Sequence, residues 1–135
     1  MAHTYANLLT HVIFSTKDRS GIIDADLGLL LFPYMGGIVR ELNGTALAIN
    51  GPTDHVHLLL ALPANLALSE AMRVLKTNSS RWVHEQWPQR RTFAWQTGCG
   101  AFSVSQSNAE QVCAYIANQE EHHRQVSFQE RFWRF

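Results

Sequence analysis

The residues of this chain best suited to chemistry are two histidines one residue apart, His55 and His57, and a tyrosine and glutamine four positions apart, Tyr115 and Gln119. Two imidazoles and a carboxamide can hold one divalent metal ion and leave coordination positions open for phosphate oxygens. A tyrosine phenol has a pKa of about 10 and is mostly protonated at neutral pH. A cation beside it favours the phenolate and stabilises charge on a phosphate under attack. Attack by such a phenol on a phosphodiester gives a 5′-phosphotyrosine and frees a 3′-hydroxyl. The ester retains the bond energy, so rejoining needs no nucleotide cofactor. As a set, these residues point to DNA-strand cleavage through a covalent phosphotyrosine.

Each piece alone has a plainer reading. An HxH pair also occurs as surface or hydrogen-bonded histidines, and a tyrosine at a core edge beside a solvated glutamine is ordinary on a helix. Two imidazoles would also suit zinc or nickel, so ligand type does not fix the ion. His122 and His123 follow on the same helix as ligands, phosphate contacts or exposed side chains, and the sequence does not choose among these.

The elements that must position these residues can be read from spacing. Residues 5–15 (YANLLTHVIFS) read as a strand, broken by the polar turn at 17–21. Leu27, Leu30, Leu31, Tyr34, Ile38 and Leu42 recur at helical spacing over 26–42, with Pro33 and the Gly36-Gly37 pair expected to kink or interrupt that helix. Thr45 to Asn50 is a short strand, 51–54 (GPTD) a turn, and His55 to Leu62 the second strand of a hairpin. Strand side chains alternate, so His55 and His57 share one sheet face while Val56, Leu58 and Leu60 point toward the helices. Ser69 is the expected cap of a helix with Met72, Leu75, Ser79 and Trp82-Val83 on its buried side and Arg73, Lys76 and Ser80 turned away. A strand over 101–105 and a capping box at 107–110 (SNAE) lead into the last helix, with Tyr115 and Gln119 at the border of its Val112 and Ile116 stripe.

The order β-α-β-β-α-β-α predicts an α+β fold: a ferredoxin-like antiparallel sheet with helices mainly on one face and the tyrosine on the C-terminal helix. At 135 residues and 46% apolar content the chain is expected to form one domain, 1–135, with a continuous core. The longest apolar runs, 27–32 and 58–62, are too short to cross a bilayer, and no secretory signal is read at the amino terminus. Cys99 and Cys113 have no CxxC spacing, which predicts reduced thiols in a cytoplasmic protein. Zero formal net charge argues against unselective coating of nucleic acid, yet 73–91 carries Arg73, Lys76, Arg81, Arg90 and Arg91 against Glu85 alone. Lys17, Arg19, Arg73, Lys76 and Arg81 are candidate phosphate contacts, with solvated charge as the alternative. Trp95 and Phe102 could stack on unpaired bases or pack in the core, and packing is also the favoured reading of the aromatic and arginine-rich carboxyl end, 128–135.

Four segments, HVIFSTKDR at 11–19, GPTDHVHLLL at 51–60, FAWQTGCGAFSVS at 93–105 and YIANQEEHH at 115–123, resemble the HUH single-tyrosine transposases, including their REP-associated relatives. That resemblance covers almost the whole chain and implies an RRM-like α/β sandwich. It implies His55 and His57 as metal ligands, Gln119 as the third ligand, Tyr115 as the nucleophile, and magnesium or manganese as the ion. It further implies a dimer acting on single-stranded DNA hairpins near element ends, with composite active sites in several relatives. Cys99 departs from the family, where a tyrosine often stands in a Gly-Tyr-Gly context. Two other readings stay beside the transposase: a domesticated REP-associated hairpin nuclease, and a non-catalytic RRM-like module that binds hairpin DNA. A metal hydrolase using water, with Tyr115 only structural, is a third.

Overall fold

The central strand β1 (Leu9–Ser15) is buried on both faces, and the rest of the molecule is arranged around it. The computed structural model describes residues 6–119. After β1 come α1 (Ala25–Glu41), β2 (Thr45–Asn50), β3 (His55–Ala61), α2 (Leu68–Gln86), β4 (Gly100–Val104) and α3 (Ala109–Ala117). The strands form one antiparallel sheet in the order β2-β3-β1-β4. This is the expected ferredoxin-like α+β plan.

Alternation along the strands divides the interior in two. Val12 and Phe14 of β1 and Val56, Leu58 and Leu60 of β3 pack with Leu27, Leu31 and Met35 of α1 and Met72, Leu75 and Val83 of α2. Leu9 and Leu59, on the opposite face, pack with Ala109 and Ile116 of α3. The sheet is thus covered on one side by two helices and on the other by the tyrosine-bearing helix.

Several local expectations change. The strand predicted over 5–15 begins at Leu9, and its first residue lies outside the described residues. α1 runs unbroken through Pro33 and the glycine pair. Its apolar face, centred on Leu27, Leu31, Met35, Ile38 and Val39, is buried against the sheet, while Leu30 is exposed. Pro33 lies on the outer side, so the carbonyl of exposed Leu29 that loses its donor can turn to water. Asp24 caps this helix by accepting from the Leu27 N–H at 2.8 Å. α2 begins at Leu68 with Ala67 as N-cap, so Ser69 sits inside the first turn and caps nothing. α3 starts after Asn108 as expected, but a 3-10 turn over Gln106–Asn108 replaces the capping-box hydrogen bonds.

Candidate active site

Because β3 pairs with β1 so that His57 lies opposite Ile13 and His11 opposite Leu59, His11 and His57 are diagonal neighbours on one sheet face. Diagonal positions of an antiparallel pair are within reach of ring side chains. Accordingly His11 Nε2 and His57 Nδ1 are 3.0 Å apart, both residues buried. Two residues earlier, His55 is 1% exposed. Its Nδ1 lies 2.7 Å from Asp54 Oδ1, and the His55 and His57 ring centres are 5.0 Å apart. The alternation predicted for this triplet therefore holds.

α3 closes over these rings. Tyr115 meets His57 edge-on with centroids 5.9 Å apart and His11 at 6.2 Å. Asn50, the last residue of β2, donates through Nδ2 to the carbonyls of Ile116 and Ala117, both at 3.1 Å, and so ties down the end of α3. Gln119, two residues beyond Ala117, is fully buried, and its Nε2 donates to the Tyr115 carbonyl at 3.0 Å. Of the four residues singled out from the sequence, His55, His57 and Tyr115 thus come together across strand and helix, while Gln119 is buried one turn along and bonded to the Tyr115 carbonyl. His122, His123 and the 128–135 segment lie outside the described residues.

The electrostatics follow from burial. Desolvation lowers the His11 pKa from 6.5 to about 4. Burial likewise lowers His55, against the opposing pull of the Asp54 carboxylate. For Asp54 itself burial works upward, but the hydrogen bond from His55 and the Arg19 guanidinium outweigh it and hold the carboxyl below its usual range. Arg19 pairs with Asp54 Oδ2 at 3.2 Å from a left-handed backbone, φ 53°. This links the Lys17–Arg19 turn to the site.

Of the candidate phosphate contacts, only Arg19 and exposed Lys17 stand on the histidine-bearing edge. Arg73 pairs with Glu70 at 2.6 Å, and Arg81 donates to Asn78 at 2.6 Å. Lys76 Nζ donates to the carbonyls of Gln96 and Gly98 at 2.8 and 2.5 Å. These three project from α2, on the far side of the sheet from His55 and His57, where a groove of about 660 Å3 also involves Arg73, Lys76, Trp95 and Cys99. Trp95 is half-buried and packs against the core, edge-on to Phe14 at 4.8 Å, with its Nε1 donating to Ser79. Phe102 instead lies beside His11, centroids 6.4 Å apart, on the site face.

Sequence reading missed His11 and Asn50 as parts of this site. The period of two in β1 puts Leu9, His11 and Ile13 on one face, but which face of β3 they join depends on the pairing of strands far apart in the chain.

The fold and site together define a ferredoxin-like α+β protein with paired histidines on its central sheet and a facing, helix-borne tyrosine. Residues 4–119 match the family described as transposase IS200 like, and the chain belongs to that family. It is 31% identical over 91 residues to the transposase for insertion sequence element IS200 of Salmonella typhimurium strain LT2. That match covers 64% of this chain and 57% of the relative, so the chain spans little more than half the relative's length. The Salmonella typhi transposase of the same element matches equally. Among solved structures, a transposase candidate from Deinococcus radiodurans R1 superposes with a TM-score of 0.72 at 22% identity, covering 88% of this chain and 96% of that one. A REP-associated tyrosine transposase bound to a REP hairpin superposes with a TM-score of 0.66 at 14% identity, covering 93% of this chain and 74% of that one. These likenesses establish the shared fold. No described helix is long and apolar enough to cross a membrane.

Proposed function

We propose that residues 1–135 act as one domain that cleaves and rejoins single-stranded DNA at hairpin-bearing element ends, with Tyr115 as nucleophile. The observation that carries this reading is the convergence of Tyr115, from α3, on His57, from β3, at 5.9 Å within one chain. Family membership supports DNA as the substrate, and the hairpin bound by the REP-associated relative supports a folded single strand.

Tyr115 Oη attacks the scissile phosphorus. An Oη–P bond forms as the bond from phosphorus to the 3′-oxygen breaks, and the phenolic proton ends on that 3′-oxygen. The product is a 5′-phosphotyrosine and a free 3′-hydroxyl. Attack on the adduct by another 3′-hydroxyl reverses these steps and restores the phenol.

His55, His57 and Gln119 would hold a divalent cation, magnesium or manganese. Among the described residues no group of three or more His, Cys, Asp or Glu is gathered as a metal centre, so the set rests on two imidazoles and an amide. The donor chemistry fits. Nδ1 of each histidine faces a protein partner, which would leave Nε2 as the ligating atom in both. The Gln119 nitrogen is turned to the Tyr115 carbonyl, so its amide oxygen would be the donor, as hard cations prefer. When bound, the cation supplies Lewis-acid stabilisation of charge on the scissile phosphate.

Lys17 and Arg19 would meet phosphates beside the site, while Arg73, Lys76 and Arg81 would reach DNA only along α2. Phe102 would offer a face to an unpaired base. Assembly as a homodimer is part of the same proposal and is read by light scattering.

The test is incubation of the protein with labelled single-stranded hairpin DNA from its genomic flanks and manganese, followed by a denaturing gel. A slow-moving covalent adduct that vanishes in Tyr115→Phe and with chelator is the expected result. Retarded binding without adduct would instead support a DNA-binding module, and cut DNA without adduct a hydrolase using water.

A further inference from the structure

We infer that His11 is a positioning residue for His57: it accepts the Nδ1 hydrogen of His57 and so fixes the tautomer in which Nε2 carries the lone pair. The inference deepens the reading of His57 as a ligand and rests on that reading for its choice of tautomer, which the NMR arm of the test then judges independently of metal binding.

His11 Nε2 and His57 Nδ1 are 3.0 Å apart, a hydrogen-bond distance between two imidazole nitrogens. Such a bond contains one hydrogen, carried by one ring or the other. If His11 carried it, a neutral His57 would have its own hydrogen on Nε2 and could not ligate there. If His57 carries it, His11 Nε2 is the acceptor, His11 keeps its hydrogen on Nδ1, and His57 Nε2 becomes a donor to a cation. Only the second arrangement is compatible with His57 as an Nε2 ligand.

The surroundings hold the contact in place. Both strands are paired along their length at this register, and both rings are buried, His57 fully and His11 8% exposed. Tyr115 packs edge-on against both rings, so the orientation set by His11 also fixes the surface that the phenol rests on. The pair is the counterpart of Asp54 and His55 one alternation earlier, where a carboxylate takes the Nδ1 hydrogen. His11 thus supplies through a neutral ring what Asp54 supplies through a charged carboxylate, and the site gains an oriented second imidazole without a second carboxylate.

Long-range proton–nitrogen NMR of 15N-labelled, metal-free protein reads the tautomer directly. The expected spectrum has His57 Nδ1 protonated and Nε2 unprotonated. In His11→Phe, which keeps a ring but loses the acceptor, His57 should become a mixture of tautomers, and Mn2+ affinity by calorimetry should weaken about 10- to 100-fold. His11→Gln, which restores an acceptor oxygen, should recover the Nδ1–H form and most of the affinity. A wild-type His57 protonated on Nε2 overturns the inference outright. So does a folded His11→Phe with an unchanged His57 tautomer. Should His11→Phe fail to fold, the wild-type spectrum and His11→Gln decide alone. If the wild-type protein binds no Mn2+, the ligand reading of His57 falls, while the NMR arm still judges the role of His11.

Discussion

The side-chain nitrogen of Asn50 lies 3.1 Å from the carbonyl oxygen of Ile116, joining the end of β2 to the end of the helix that carries Tyr115. A second bond of equal length reaches the Ala117 carbonyl. Two carbonyls of the closing turn of α3 are therefore satisfied from the sheet. Replacing Asn50 by Ala removes both bonds, at a cost of about 1 to 2 kcal/mol. We expect a modest fall in the urea midpoint but about a tenfold or greater fall in the rate of phosphotyrosine formation, because positioning is sensitive to small displacements. Equal losses in Asn50→Ala and in a variant destabilised elsewhere would show that α3 needs no such anchor.

Asp54 is held from both sides, by His55 at 2.7 Å and Arg19 at 3.2 Å. Asp54→Asn keeps the shape but removes the charge that orients the imidazole. Mn2+ affinity should drop about 10- to 100-fold, with Arg19→Ala losing less because it acts one contact further out. Calorimetric titration of both variants checks the ranking, and the reverse order would contradict it.

Burial holds His11 neutral in the folded chain down to about pH 4, whereas an unfolded chain protonates it near 6.5. Between those values the unfolded state binds more protons, so this contribution to stability is complete above pH 6.5 and is lost as pH falls toward 4. The size is up to about 3 kcal/mol, and His55, also lowered by burial, acts in the same direction. Urea unfolding in chelator at pH 7.5 and 5.0 should therefore differ more for the wild type than for His11→Phe. Equal slopes in the two proteins would contradict this.

Gly51 closes the turn that delivers β3 to the site. A Cβ there would run into the His55 carbonyl oxygen and sit 2.9 Å from the Val56 Cα. Both obstacles are backbone, so relief requires moving the turn. Gly51→Ala should cost at least about 1 to 3 kcal/mol. Denaturant unfolding measures it, and a neutral substitution would mean that the hairpin yields more readily than its packing implies.

Much of this was legible in the sequence because it depends on local period. The shared face of His55 and His57 and the inward direction of Val56, Leu58 and Leu60 follow from alternation alone. The element order did too, and with it the fold. What depended on pairing distant strands was not legible. The closeness of His11 to His57 needs the register of β1 against β3, which are 46 residues apart at this point. Asn50 reads as a strand end until α3 is laid across it. The opposite error occurred where local signals were strong: Pro33 and two glycines suggested a broken helix, but burial of Leu27, Leu31 and Met35 holds α1 together. Ser69 and the capping box at 107–110 likewise had suitable residue types that the backbone does not use.

Val56 sits between the two histidines and belongs to the core beneath α1 and α2, while its neighbours face α3. A slip of β3 by one position would drive two imidazoles into that hydrocarbon core and turn Val56 out beside Tyr115. The misregistered chain would lose its main core and its reactive cluster in a single event. Reading-frame fidelity of this one strand is therefore guarded by ordinary folding stability, and a population that is folded is, for the same reason, a population with its histidines facing the tyrosine.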